Sequence, residues 1–241
     1  MNQNAVSTGL ARTLSKYGHC SQAWDLVSNG RVRVNGQIAR NPEQRVRLGS
    51  DTIAVDDSEI REAKKIYLMM NKPRGIVTSA DDERGRATVY SLLPSGLPWV
   101  APVGRLDKGS EGLLLLTNDS EWGATIASPE ARVSKTYHVQ IAPVAGPELL
   151  RRLRDGVRDE SVHMLRVKQG WVIRSGAKNS WLEIVLEEGK NRQIRRIMSA
   201  LGVEVLRLIR IAIGPLKLGK LAKGKVRELR SEEVAGLKRR A

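Results

Sequence analysis

The stretch GRLDKGSEGLLLLTND, residues 104–119, holds the reading on which the architecture turns. Residues 113–116 are four leucines, a short and wholly apolar run that marks a buried strand over 113–118. Ahead of it, the apolar segment 99–106 predicts another strand. Between the two, Gly104, Gly109 and Gly112 fall within nine residues and let the backbone turn sharply and approach a ligand closely. Asp107 stands in that turn, so its carboxylate is expected on a rigid rim between two buried strands. Asp also opens turns for purely local reasons. On pattern alone the reactive and the local readings are evenly matched.

Working outward, residues 66–70, 75–79, 135–142, 164–174, 181–187 and 205–213 read as further strands, and 122–127, 147–153 and 190–201 as helices. The order lacks the regular βαβ alternation of a doubly wound sheet. An α+β domain on a mostly antiparallel or mixed sheet is expected. Upstream, Leu10, Leu14 and Tyr17 recur at helical spacing within 8–20, and a second short helix over 22–27 turns Ala23, Leu26 and Val27 inward. Asn29-Gly30 ends it, 31–34 alternates like a strand, and Asn35-Gly36 is a strong hairpin signal. Another strand pair ends at 53–55. Residues 56–65 are charged and aperiodic, which suggests a linker. The expected organisation is a small helix-helix-hairpin domain over 1–56, a linker over 57–65 and a larger domain over 66–241.

Composition narrows the function. Of the 241 residues, 41% are apolar and 28% charged, as in an ordinary soluble domain, and no run approaches a membrane span. No apolar core of export-signal length follows Met1, so a cytoplasmic location is expected. Cys20 is the single cysteine, which excludes an internal disulfide and any cysteine-rich zinc site. Five Trp, four Tyr and no Phe argue against a sheet that stacks RNA bases on an aromatic platform. Lys and Arg number 41 against 26 Asp and Glu, a net charge of +15. Residues 1–60 hold seven basic and six acidic side chains, whereas 190–241 hold fifteen and four. Regular apolar positions in the latter segment indicate folded structure with a basic face. Such a face attracts phosphate backbones, a better reading at this excess than a membrane-surface patch.

No dinucleotide or phosphate-binding glycine motif and no metal-ligand spacing occurs, and His19, His138 and His163 are scattered. No metal or cofactor is therefore expected. Two further segments could join Asp107. In EGKNRQIRRIM, residues 188–198, a helix places Ile194, Ile197, Met198 and Leu201 on one face, Arg192 and Arg196 opposite, and Arg195 on the flank, where it could reach into a cleft. A solvated basic face is the competing reading for Arg192 and Arg196. In KTYHV, residues 135–139, alternation puts Tyr137 on the face of Val139 and Ile141, where sheet packing is its plain role, and leaves His138 structural.

Residues 8–55, with GRVRVNG after the second helix, resemble the S4-type RNA-binding domain. The second helix of such domains often opens on adjacent arginines, where this chain has His19-Cys20-Ser21-Gln22. Arg12, Lys16, Arg31 and Arg33 are the expected phosphate contacts. Behind that domain, GRLDKGSEGLLLLTND, KTYHV and EGKNRQIRRIM in this order resemble the RsuA/RluB family of ribosomal RNA pseudouridine synthases, from about residue 8 to 230. Gly109, often polar or acidic in the family, and Ser110, commonly Thr, depart from its pattern.

The resemblance implies that Asp107 is the catalytic carboxylate, which attacks or otherwise assists cleavage of a uridine glycosidic bond, after which the uracil turns and rejoins the ribose through carbon 5. It implies that Tyr137 lies against the base, that Arg195 pairs with Asp107, and that Arg105 shapes the loop. Lys190, Arg192 and Arg196 are expected to meet RNA phosphates. A carboxylate that must stay charged in a water-poor pocket needs a guanidinium beside it, which suits the Asp107–Arg195 pairing. The substrate implied is structured ribosomal RNA, met by a monomer. SEGLLLLTND and RLIRIAIGPLKLG look closer to the large-subunit enzymes, which favours 23S rRNA; a 16S target and a noncatalytic RNA-binding or ribosome-assembly factor are the alternatives.

Overall fold

Leucine and alanine spacing builds the first part of the chain. Strand β1 (Ser7–Gly9) leads into helix α1 (Leu10–Lys16), which buries Leu10, Ala11 and Leu14, and helix α2 (Ala23–Ser28) turns Ala23, Leu26 and Val27 onto the same core. Strands β2 (Val32–Val34) and β3 (Gln37–Ala39) form the expected hairpin, with Asn35 and Gly36 at φ 50° and 81° as a type I′ turn requires. Strand β4 (Arg45–Arg47) pairs with β1; β5 (Ile53–Val55) pairs with β2 and with β6 (Ser58–Glu59). This last pairing differs from the reading of 57–65 as a linker. Asp56 and Asp57, at φ 48° and 64°, make a second tight turn, held by ion pairs from Arg31 and Arg33. Two adjacent aspartates signal a hairpin weakly, and their arginine partners lie more than twenty residues away.

The computed structural model describes residues 7–16, 22–47, 50–60, 64–80, 82–158 and 164–238. Tyr17, His19, Cys20 and His163 lie outside the described residues, as does the side chain of Lys16. The chain divides into two compact units, Met1–Lys64 and Lys65–Ala241.

The second unit runs β7 (Tyr67–Lys72), β8 (Ala101–Val103), β9 (Glu111–Thr117), α3 (Ser120–Ala127), β10 (Lys135–Ala142), α4 (Pro147–Asp155), β11 (Val157–Arg158), β12 (Met164–Leu165), β13 (Gln169–Ser175), β14 (Ser180–Leu186), α5 (Gln193–Ala200), β15 (Glu204–Ile213), β16 (Leu216–Lys217), β17 (Val226–Glu228) and α6 (Ser231–Lys238). Nine strands form one sheet in the order β13-β14-β10-β15-β9-β7-β17, with β8 added to β9 and β16 to β15. Every pairing in it is antiparallel except β15 with β9, a two-residue seam of Ile209 opposite Glu111 and Arg210 opposite Gly112. The unit is thus the α+β domain on a mixed, mostly antiparallel sheet that the pattern predicts.

The two halves of the sheet have separate cores. Helices α4 and α5 bury Leu153, Ile194, Ile197 and Met198 against Val139, Ile141, Leu182 and Ile184. Helices α3 and α6 bury Trp122, Ile126 and Leu237 against Met69, Leu113 and Leu115. The other face of the leucine run, Leu114 and Leu116, packs on Val89, Val100 and Leu106. All four leucines are fully buried, as a continuous apolar strand covered on both sides must be. Among the described residues no helix is long and apolar enough to cross a membrane.

Three predicted elements are shorter or absent. Segment 75–79 is no strand and makes a single bridge, Val77 to Thr88. Strand 99–106 shrinks to Ala101–Val103, because Gly104 at φ 72° breaks the extended path. The helix expected from 190 starts at Gln193, since Arg192 takes left-handed φ 48°, ψ 30° at its N-cap. Residues 164–174 split into β12, which pairs with β11, and β13 on the sheet edge.

Candidate active site

The loop between β8 and β9 is fixed through its backbone. Each carbonyl from Leu106 to Ser110 accepts a hydrogen bond. Thr78 Oγ1 donates to the Leu106 carbonyl at 2.8 Å, and the Lys72 ammonium donates to those of Asp107 (3.2 Å) and Ser110 (2.9 Å). The Gly75 N–H donates to Lys108 at 2.8 Å, Arg195 Nη2 to Gly109 at 3.0 Å, and the Ser110 N–H closes a turn on Asp107 at 2.9 Å. A loop with five consecutive carbonyls engaged holds its side chains in place before any substrate arrives. At its end Gly112 has φ 103°, and a Cβ there would lie 2.2 Å from the Arg210 carbonyl oxygen, so the seam admits only glycine.

Asp107 projects from this loop with its side chain 29% exposed, and its Oδ2 lies 3.5 Å from Arg192 Nη1. It therefore opens to solvent and is not sealed beneath the sheet. The nearest guanidinium differs from the expected one: Arg192 forms the ion pair, and Arg195 holds the Gly109 carbonyl. The left-handed cap at Arg192 aims its side chain off the helix and across the cavity, which a helical position would not do. Arg195 remains within electrostatic range of Asp107. Burial lowers its pKa, as do Arg192 and Arg74, while Asp107 raises it; its Nε is buried without a hydrogen-bond partner.

A cavity of about 470 Å³ lies beside the carboxylate, lined among others by Arg105, Asp107, Tyr137, Lys190 and Arg192. Those five residues, from three separate segments, are brought together as the sequence reading requires; the volume is that of a small-molecule site. Tyr137 is half-buried and packs against both neighbouring cores. Arg196 donates to the Asn191 carbonyl at 3.4 Å outside the cavity lining, and Lys190 pairs with Glu188 at 2.6 Å. His138 pairs with Glu183 at 2.9 Å, consistent with a structural role. In the first unit Arg12 is exposed, whereas Arg33 Nε is 3.1 Å from Asp57 and Arg31 Nε is 2.9 Å from Asp56. The latter two charges are already matched.

Four residues absent from the sequence reading belong to the site. Lys72 is fully buried; burial pulls its pKa from 10.5 to about 8 against the upward pull of Asp107 and Glu111. Thr78 is buried on Leu106. Lys135 and Arg210 line the cavity. Their signal was available: the alternation that turns Tyr137 inward turns Lys135 inward too, and Arg210 shares the phase of buried Leu208 and Ala212. Lys72 and Thr78 act on backbone atoms about thirty residues away, which no side-chain pattern encodes. Below the loop Glu111 is 3% exposed, takes both Arg207 nitrogens (2.7 and 2.9 Å) and Lys223 (2.6 Å), and is held down to about 2, chiefly by the Arg207 hydrogen bond.

A carboxylate on a preformed loop, an aromatic ring and several cations around one small cavity suit chemistry on a planar base attached to a polyanion. Comparison with known proteins agrees. The sequence profile of RNA pseudouridylate synthases matches residues 66–200, and that of the S4 domain matches 8–53. An RNA pseudouridine synthase of Aquifex aeolicus is 37% identical over 93% of this chain and 91% of its own length. The Bacillus subtilis protein named ribosomal large subunit pseudouridine synthase B is 34% identical over 90% and 89%. A pseudouridylate synthase crystal structure superposes with a TM-score of 0.66 at 28% identity, covering 95% of this chain and 99% of the other. With its carboxylate-bearing loop at the seam of a mixed sheet and an S4 domain ahead of it, the chain belongs to the RNA pseudouridine synthases of the RsuA/RluB type, which are isomerases.

Proposed function

We propose that the protein isomerises a specific uridine of ribosomal RNA, with a target in the large-subunit 23S rRNA, and that Asp107 carries the reaction. The observation that supports this most is the Asp107 loop itself: a carboxylate beside the Arg192 guanidinium, on a backbone clamped at five successive carbonyls, facing a cavity that also presents Tyr137. In this reading the target nucleotide flips out of its helix, at a cost of a few kcal/mol. Stacking on Tyr137 returns ~1–3 kcal/mol, and phosphate contacts from Arg105, Lys190 and Arg196, with Arg12 and Lys16 on the S4 domain, add salt-dependent affinity. Arg31 and Arg33 contribute there only if RNA displaces their aspartates.

The carboxylate then acts on the ribose, by attack at C1′ or by removing a sugar proton, as the C1′–N1 bond breaks. The free uracil turns inside the cavity, C5 bonds to C1′, and the proton on C5 is lost, with Tyr137 placed to assist. Isomerisation consumes no second substrate, so the demands on the protein are orientation and exclusion of water from the ribose. Arg192 forms the ion pair with the carboxylate, and Arg195 serves as a positioning residue through Gly109. The large-subunit assignment leans on the printed name of the Bacillus subtilis relative. The test has two arms: Asp107→Asn should bind RNA and release no tritium from C5-labelled uridine, and rRNA from cells lacking the protein should miss one pseudouridine in 23S rRNA. Tritium release by the variant, or a missing mark in 16S rRNA, refutes the corresponding arm.

A further inference from the structure

We propose that Arg210 binds the uracil as it leaves the ribose, by donating hydrogen bonds to the pyrimidine carbonyl oxygen that becomes negatively charged. The assignment rests on the reading of the cavity as the isomerisation site.

Arg210 is the anomaly of that cavity. It sits on β15 at the two-residue seam, 5% exposed, with its Nε donating to the Leu113 carbonyl at 2.7 Å. Its Nη2 is buried and has no hydrogen-bond partner, and the residue lines the same cavity as Asp107. Among the described residues no carboxylate pairs with it. The charges it acts on are cations, Lys72 and Lys135, each of which it pulls toward the neutral form. Arg207, three residues earlier on the same strand, shows the ordinary solution: a bidentate pair with buried Glu111. A buried guanidinium with neither counter-ion nor a full set of acceptors is costly. The guanidinium is held where it is by its bond to the Leu113 carbonyl, on a strand paired with Gly112. A site that keeps such a donor empty is complementary to an oxygen that arrives with the ligand.

The reaction supplies one. When the C1′–N1 bond breaks, its electron pair goes to N1 and the charge spreads over O2 and O4 of the ring. Asp107 meanwhile forms a bond to C1′ or takes up a sugar proton, and so loses its charge. Negative charge thus leaves Asp107, beside Arg192, for the ring, in a cavity that Arg210 and Lys135 also line. When C5 bonds to C1′ the ring becomes neutral and Asp107 is freed as a carboxylate, by breaking its bond to C1′ or by returning the sugar proton. The C5 proton then leaves as N1 takes one up, so ring and carboxylate end with their starting charges. A donor that meets more charge in the transition state than in bound uridine accelerates the step rather than merely tightening binding, and one preorganised donor of this kind is worth about 10²–10³ in rate.

The test compares single-turnover reaction of Arg210→Gln on RNA with uridine or 5-fluorouridine at the target. Fluorine stabilises the departing anion by itself, and formation of the rearranged fluorinated product needs bond cleavage but no loss of a C5 proton. We expect a loss of about 10²-fold or more on uridine RNA and of tenfold or less on the fluorinated RNA, with the Kd for RNA within threefold of wild type. Equal losses on both RNAs, or a weakened Kd with a shallower salt dependence, would make Arg210 structural or a phosphate contact and overturn the assignment. If Arg210→Gln fails to fold, Arg210→Lys is read by the same split, which should persist at smaller size; equal losses there overturn the assignment too. Asp107→Asn separates this inference from its premise. If that variant reacts on uridine RNA, the reading of the cavity fails; if it is dead and the Arg210 split is missing, only Arg210 is reassigned.

Discussion

Replacing Lys72 with methionine should leave the fold standing and disable the loop. The ammonium donates to the carbonyls of Pro73, Asp107 and Ser110 at 3.1, 3.2 and 2.9 Å. The Asp107 carbonyl keeps the Ser110 N–H, whereas those of Pro73 and Ser110 lose the ammonium donor, at about 1–3 kcal/mol each. Against this, the wild-type protein carries the cost of a fully buried cation. A pKa drawn from 10.5 to about 8, at about 1.4 kcal/mol per unit, amounts to ~3 kcal/mol, and methionine removes it while filling the volume of the stem. The two effects nearly cancel. A net change of about 1 kcal/mol corresponds to a Tm shift of roughly 2–4 °C in a chain of this size. Catalysis has no such compensation, since a carboxylate displaced by about 1 Å loses on the order of 10² in rate. Thermal unfolding beside single-turnover tritium release measures both. A rate within threefold of wild type, or a Tm that collapses together with activity, refutes the view of Lys72 as a clamp on the loop.

Gly112→Ala should destabilise by about 3 kcal/mol or more, because both the φ of 103° and the Arg210 carbonyl at 2.2 Å forbid a methyl group; denaturant unfolding with an unchanged midpoint would contradict the seam geometry. Arg192→Ala should lower kcat with the loop still protected from hydrogen exchange, whereas Arg195→Ala should raise exchange at residues 107–110, and identical exchange in the two variants would merge their roles. Glu111 has its pKa lowered from 4.5 to about 2 in the fold, so its stabilisation is complete above pH 4.5 and fades as pH falls toward 2. Wild type and Glu111→Gln should therefore differ most near neutrality and converge in acid. Lys72 shifts in the same direction in a higher window: its folded pKa is lowered, the unfolded chain binds the extra proton between pH 8 and 10.5, and wild type should gain stability relative to Lys72→Met as pH rises across that window.

Local pattern and distant geometry divide cleanly in this molecule. The leucine run announced a strand covered on both faces, and the Asn35-Gly36 turn announced its hairpin, because each is decided by neighbours in the chain. Asp107, Tyr137 and Lys190 reach one cavity from the three segments that the motifs single out. The exchange of Arg192 for Arg195 beside Asp107 was invisible, since it depends on one left-handed residue ahead of α5 that a helical wheel cannot draw. Lys72 escaped for another reason: its partners are main-chain oxygens, which carry no sequence signature. Lys135 and Arg210 could have been found by asking why a charged residue occupies the inward phase of an apolar strand.

The bond from Arg210 to the Leu113 carbonyl spans 97 residues of chain, and that distance imposes an order of events on synthesis. A nascent polypeptide halted between β9 and β15 contains the Asp107 loop but lacks Arg210 and the strand that walls the pocket. Fragments that end there should therefore release no tritium from C5-labelled uridine RNA. Competence arrives late, when strand 204–213 slots between β10 and β9.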